Sequence, residues 1–266
     1  MAETVSLNVD GRGVATLRLC RGAQHNALSA QMMDDLAAMA HRLGRDPAVR
    51  VVVLAAEGES FCAGADLGWM QAQTTADSAG RLREAQRLSG MLQALDTLPK
   101  PLVGCVQGSA YGGGLGLLSV CDVAVATENA RFAFTETRLG LIPATIGPYV
   151  VARMGAAMAR RVFMSARRFT AAEAVALGLV ARAVQSEGLG AAVEAEVAPY
   201  LACAPGAVAD AKALLRRLAG PIDAPLIAES MEALIARWES PEAAEGLAAF
   251  FGRRPAPWAT DGRSDG

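Results

Sequence analysis

A chain of 266 residues can bury a substantial core, either as one large domain or as a domain with an appendage. Hydrophobic residues make up 52% of it and charged residues 20%, which suits a soluble enzyme or an oligomer with apolar interfaces. The formal charge of −2 supplies no overall attraction to nucleic acid or to an anionic membrane, and neither is expected as a partner.

Five cysteines without C-x-x-C spacing argue against a zinc site and against a disulfide framework. The start of the chain opens no secretory or transit segment, and no apolar run approaches the roughly 18 residues of a membrane span, so a cytoplasmic protein is expected. Four arginine pairs (Arg160-Arg161, Arg167-Arg168, Arg216-Arg217, Arg253-Arg254) read as solvated faces, one of them a candidate to meet a phosphate.

In chain order, Val5–Val9 and Val14–Leu19 alternate around an Asp10-Gly11 turn signal, which predicts an antiparallel pair. Ser29 offers an N-cap to a helix carrying Met32, Leu36, Met39 and Leu43 at helical spacing, with Gly44 as its stop. Val51–Ala55 reads as a buried strand. The polar stretch from Gln71 to Gly80 reads as a mobile loop, and Arg81–Leu95 as a helix closed by Pro99-Lys-Pro101.

Leu102–Val106 is a second buried strand, followed by a buried helix over Gly112–Ser119 and strands at Asp122–Ala126 and Arg131–Phe134. Thr170-Ala-Ala-Glu173 is a capping box for a helix that ends at Gly178, and Ser240-Pro-Glu gives a later helix an N-cap with proline at N1. Strands and helices alternate to about residue 185 and helices alone follow, which predicts an α/β core (1–190) with a helical C-terminal region (191–266). The ending, Asp261–Gly266, is polar and reads as disordered.

Two glycine-bearing segments follow the buried strands: Phe61-Cys-Ala-Gly-Ala-Asp66 and Gly108-Ser-Ala-Tyr-Gly-Gly-Gly114. At strand ends, small residues let a ligand touch the backbone, and two converging peptide N–H groups could hold one anionic oxygen. The glycines at 112, 113, 114 and 116 do not satisfy G-x-G-x-x-G. Triple glycine costs a helix roughly 1 kcal/mol per residue against alanine, which fits a place where another group must approach closely.

Side-chain candidates are few. His41 falls on the polar side of its helix, and His25 sits in a turn with no nucleophile to pair with, while G-x-S-x-G is absent. Cys62 is either a nucleophile or a small apolar filler. Glu136 lies between the apolar strand Arg131–Phe134 and Leu139–Pro143. It is either a shielded carboxyl of raised pKa, suited to proton exchange near neutrality, or a surface glutamate paired with Arg138 or Arg131.

Taken together, the chain resembles the enoyl-CoA hydratase/isomerase (crotonase) family over essentially its whole length. The matching residues are Asn26-Ala-Leu28, Phe61–Leu67, Gly108–Gly114, Cys121-Asp122, Glu136 with Leu139–Pro143, Thr170–Ala174, Gly178–Val180 and Glu245–Pro255. The resemblance implies a spiral of β-β-α turns with C-terminal helices that cap the active site and build homotrimers, often paired as hexamers. It also implies an acyl-CoA substrate without a further cofactor.

By resemblance, Ala63 and Gly113 supply the N–H groups of an oxyanion hole. Ala65, Asp66 and Leu67 line the adenine and pantetheine path, with Asn26 and Gly112 in the substrate-binding motifs. Phe250 with Arg253 or Arg254 contacts adenine and phosphate, within its own subunit or across a subunit boundary, and Glu136 is the catalytic acid–base. The hydratases of this family carry another glutamate where this chain has Gly116.

The segments Gly112–Leu117 and Ile142–Tyr149 look most like the bacterial methylglutaconyl-CoA hydratase branch and its isoprenoid-degrading relatives. These act on 3-branched, carboxylated enoyl-CoA substrates in leucine or acyclic terpene breakdown, and Arg138 would orient such a carboxylate. Hydration is the implied reaction. Double-bond isomerisation, thioester hydrolysis or decarboxylation, and acyl-CoA binding without turnover remain the alternatives.

Overall fold

The computed structural model describes residues 4–259, so the ending at 261–266 lies outside the described residues. β1 (Val5–Val9) and β2 (Val14–Leu19) pair antiparallel as expected, and the Asp10 carboxylate holds the turn by accepting from the amides of Arg12 and Val14 at 2.9 Å each. α1 (Ala30–Arg45) is capped by Ser29, which accepts from the Met32 amide. It runs past Gly44, because the turn is closed only when the Asp46 amide reaches the Leu43 carbonyl.

From β3 onward the chain repeats one pattern: a strand in a large sheet, a strand in a small sheet, then helix. β3 (Val51–Ala56), β5 (Leu102–Val106) and β7 (Val123–Thr127) enter the large sheet, whose order is β1-β2-β3-β5-β7-β10, with β10 at Arg182–Val184. All its pairings beyond the first hairpin are parallel. β4 (Ser60–Cys62), β6 (Ser109–Tyr111), β8 (Arg131–Ala133) and β9 (Phe169–Thr170) form the small sheet in that order. This is the α/β spiral of β-β-α turns.

Strand alternation divides the side chains between two cores. Val52, Leu54, Leu102, Val106, Ala124 and Ala126 face the main core, which also takes in α1, α4 (Gly113–Ser119) and α5 (Gly147–Ala159). Val51, Val53, Val103 and Val125 face the other way, against Leu189, Ala192, Val193 and Val197 of α7 (Leu189–Leu201). Both faces of the parallel strands are therefore covered, which is why Val51–Ala56 reads as an unbroken apolar run. Each valine or leucine among them contributes about 1.5–3 kcal/mol when fully buried.

The stretch expected as a mobile loop is helical instead. α2 (Leu67–Thr75) starts at Asp66 and α3 (Ser78–Asp96) at Asp77, and each aspartate accepts amides of its own first turn. Two good N-caps and a run of Ala, Gln and Arg outweigh the polarity that suggested a loop.

α6 (Ala171–Ala176) has its cap at Thr170, but Glu173 pairs with Arg167 rather than reaching back. After α8 (Pro205–Leu218), the helices α9 (Ala224–Trp238) and α10 (Pro241–Phe251) fold back over the site-bearing end of the spiral. The Arg237 Nε donates to the Gly140 carbonyl at 2.9 Å, and a Cβ on Gly246 would stand 2.5 Å from the Leu139 carbonyl.

Candidate active site

The two glycine-bearing segments end on one cavity. A Cβ on Gly64 would lie 3.0 Å from the Tyr111 carbonyl and 3.7 Å from Gly112 Cα, so the segments abut at the ends of β4 and β6. Closeness of this kind explains the glycines. On Gly114 a Cβ would stand 2.5 Å from the Cys62 carbonyl, and only a bare Cα lets α4 start there. Gly112, at φ +48°, turns the chain into α4 and presents its Cα face to Glu136, whose Oε1 lies 3.2 Å from where a Cβ would be.

The amides do not divide as the resemblance implied. The Ala63 N–H is already donated to the His25 carbonyl at 2.9 Å, which removes it as a donor. Two residues on, Leu28 and Ala65 form an isolated parallel bridge, in which Leu28 N–H donates to Gly64 O and Asp66 N–H donates to Leu28 O. In that pattern the neighbours of Ala65 make the bonds, so its own N–H points away from Leu28 and meets no acceptor among the described residues. Gly113 opens α4, where a first-turn N–H has no intrahelical acceptor, and it too finds none among the described residues. Ala65 and Gly113, on neighbouring strand ends, therefore each present a free amide on the cavity wall.

Glu136 opens a short 3-10 turn, Glu136–Leu139, directly after β8. Its Oε2 is shielded and meets no hydrogen-bonding group of the described residues. The surface-pair alternative fails, since the Arg131 guanidinium is spent on the carbonyls of Glu128, Asn129 and Ala130 and no bond from Arg138 reaches Glu136. Burial pushes the Glu136 carboxyl up to about 7, with the Glu136 and Thr135 amides drawing it part of the way back.

The cavity holds about 440 Å³ and is mainly apolar, with Met33, Leu88, Ile146, Leu234, Trp69, Met70 and Trp238 among its walls. Trp238 also walls a second cavity of about 720 Å³, enclosed by α2, α3, α9 and α10, and the Arg81 guanidinium lies over its ring at 5.8 Å. Leu67, 57% exposed, and Phe250 and Arg138, both exposed, stand at the cavity's open side.

Three expected contacts are placed elsewhere. Asn26 is fully buried: its Nδ2 donates to the carbonyls of Glu57 and Ser60, and its Oδ1 accepts from the Arg21 amide, so it fastens a loop and leaves no group for a ligand. The Asp66 carboxylate caps α2 through the Gly68 and Trp69 amides and pairs with Arg21 at 2.9 Å. Burial works to raise its pKa, but the Arg21 hydrogen bond and those amides outweigh it and hold the group below its usual value. Arg253 is exposed and outside the cavity wall, and Arg254 pairs with Glu245.

Cys62 is the filler, not the nucleophile, since its thiol is fully buried and pushed up to about 12. His25 Nδ1 meets Ser60 Oγ at 3.1 Å and His41 is exposed. Thr145 falls in the Ile142–Tyr149 segment that carries the resemblance, without a role assigned to it there, and Trp238 carries no signal in the sequence; both stand on the cavity wall.

Comparison with known proteins agrees with this architecture. The family described as enoyl-CoA hydratase/isomerase matches residues 10–261. A crystal structure of an enoyl-CoA hydratase from Shewanella pealeana is 36% identical, covering 96% of each chain at a TM-score of 0.79. AtuE of Pseudomonas aeruginosa is 34% identical at a TM-score of 0.79, covering 97% of this chain and 100% of its own. An enoyl-CoA hydratase from Mycobacterium avium is 30% identical at 0.83, with coverage of 97% and 100%. With its spiral fold and a family match spanning nearly the whole sequence, the chain belongs to the enoyl-CoA hydratase/isomerase family of enzymes.

Proposed function

We propose that the protein hydrates the C2=C3 bond of a short or 3-branched enoyl-CoA. The observation that carries this reading is the Glu136 carboxyl, its Oε2 shielded and without a partner among the described residues, on the wall that also presents the free Ala65 and Gly113 amides. The thioester oxygen docks on the two amides. Water forms its bond to C3 and gives a proton to ionised Glu136, while the C2=C3 electron pair moves through the carbonyl to leave an enolate oxygen between the amides. Glu136 then returns that proton to C2, the carbonyl re-forms, and the carboxylate is regenerated. Loss of one oxyanion donor costs about 3 kcal/mol of transition-state stabilisation in such sites.

A carboxyl raised by burial to about 7 is basic enough, once ionised, to take the proton of water and acidic enough afterwards to hand it on to C2. A 3-branched, carboxylated acyl group, as in methylglutaconyl-CoA, agrees with the apolar walls and with Arg138 at the open side, which we assign to the substrate's distal carboxylate. Proton NMR of reactions with crotonyl-CoA and 3-methylglutaconyl-CoA tests the reading. A 3-hydroxyacyl product supports it. A shifted double bond, free CoA or carbon dioxide would each replace it with the isomerase, hydrolase or decarboxylase alternative on the same scaffold, and tight acyl-CoA binding with no product would point to a binding protein.

Self-association through the helical C-terminal region belongs to the same proposal. α8 buries none of its residues and exposes Leu214, Leu215 and Leu218, the last at 75%. Lys212–Asp122 and Arg216–Asp96 ion pairs, 2.8 Å each, fix the helix to the core with that apolar edge outward. Light scattering should give the mass of a trimer or a dimer of trimers. A monomer at micromolar concentration would end this part of the proposal.

A further inference from the structure

The position where two-carboxylate hydratases of the resemblance carry their other acid is closed in this chain. A Cβ on Gly116 would lie 2.6 Å from Ile146 Cγ2 and 3.4 Å from Leu92 Cδ2, so Ile146 occupies the space an acid would need. Ile146 lines the cavity, and so does its neighbour Thr145. The two sit in the turn between Ile142 and α5, tied by Ala144 N–H to Ile142 O at 2.8 Å and Gly147 N–H to Ala144 O at 2.9 Å.

Thr145 is 4% exposed, and its Oγ1 has no partner among the described residues. Shutting a hydroxyl away without a partner is unfavourable, and a valine would fill the same volume without that cost. Six buried side-chain polar atoms among the described residues lack partners, and only Glu136 Oε2 and Thr145 Oγ1 belong to residues that line this cavity. The two unsatisfied groups thus belong to residues on the wall of one cavity, where a single water that reached both would satisfy them.

We infer that the Thr145 hydroxyl stands in for the absent second carboxylate by positioning the water that attacks C3. The inference rests on the hydratase reading above. The water donates one hydrogen to Glu136 and the other to Thr145 Oγ1, which leaves an oxygen lone pair free to form the bond to C3. The hydrogen held by Glu136 is the one transferred and later delivered to C2; the hydrogen held by Thr145 stays on the new 3-hydroxyl. Thr145 is therefore a positioning residue that exchanges no proton.

The division of labour makes the test selective. Exchange of the C2 hydrogen of butyryl-CoA in deuterium oxide needs Glu136 and the two amides but no attacking water. Thr145→Val should lower kcat for hydration of crotonyl-CoA about 100-fold, with KM and the C2 exchange rate each within about two-fold of wild type. Thr145→Ser should recover most of the hydration rate, and Thr145→Ala should reproduce the valine split should the valine variant fold poorly. Hydration at the wild-type rate in both hydroxyl-free variants would overturn the inference and leave the hydratase reading standing, as would exchange that falls in step with hydration. A wild-type enzyme that exchanges C2 but hydrates nothing would overturn both.

Discussion

The two walls of the cavity beside Glu136 are built by different means. The inner wall, from Gly64 through Gly112–Gly114 to Glu136, is backbone at the ends of β4, β6 and β8, held by sheet pairing and by contacts too tight for a Cβ. The outer wall is made of side chains on helices, Trp69 and Met70 from α2, Leu88 from α3, Leu234 and Trp238 from α9 and Phe250 from α10, some of them in small satellite clusters. Charge stabilisation needs donors fixed before the reaction starts, and main chain in a sheet supplies that. Substrate shape needs surfaces that can vary without disturbing the chemistry, and helix side chains supply that.

Substitution on the inner wall should therefore remove activity, and the largest effect is expected at Glu136. Glu136→Gln should reduce hydration at least 1000-fold, near the upper range for a lost acid–base group. The same change should stabilise the fold above neutral pH. A carboxyl at 4.5 in the unfolded chain and about 7 when folded opposes folding once ionised. Its stability contribution is full below about 4.5, is lost as pH rises through 7, and the difference amounts to about 3 kcal/mol. Thermal melts at pH 4 and pH 8 check this: the variant should match wild type at the lower pH and exceed it at the higher. In wild type, the basic form of Glu136 predicts a hydration rate that rises with pH through about 7, and a flat profile from 5 to 9 would remove Glu136 as the base.

Gly114→Ala ranks next. Its new methyl would meet the Cys62 carbonyl, so α4 must shift and carry the Gly113 amide with it. We expect a loss of about 100-fold in kcat and a cost of about 1–3 kcal/mol in stability, read from steady-state kinetics and denaturant melts. A variant with normal kcat would show that the inner wall tolerates motion, and the contrast between the walls would fail.

Trp238→Ala probes the outer wall. It should cost about 3–5 kcal/mol as a buried aromatic truncation. Because Trp238 separates the 440 and 720 Å³ cavities, it should also raise kcat/KM for enoyl-CoA of ten or more carbons about 10-fold relative to crotonyl-CoA. An unchanged chain-length profile would mean that this wall does not set substrate size.

Much of the fold was legible because it rests on local signals. The apolar runs at Val51 and Leu102, the caps at Ser29, Thr170 and Ser240, and the glycines ahead of α4 all appear where the sequence puts them. The loop expected at 71–80 shows that polarity is a poorer guide than a cap, since Asp66 and Asp77 already mark the starts of α2 and α3. Within the site, motif identity left the direction of each group open. Asn26 and Asp66 belong to binding motifs, yet Asn26 spends its polar atoms on the backbone and Asp66 spends its own on the α2 amides and Arg21, and the free amide proved to be that of Ala65 rather than Ala63. Trp238 joins a chamber with Glu136 only through tertiary packing, which no window of sequence displays, and the shielding of the nearby Thr145 hydroxyl is likewise visible only in the folded chain.

The turn carrying Glu136 is roofed by residues 237–246, through Arg237 on the Gly140 carbonyl and Gly246 on that of Leu139. During synthesis the strands of the spiral emerge before α9 and α10, so the turn that carries Glu136 gains this roof only after every strand of both sheets has been made.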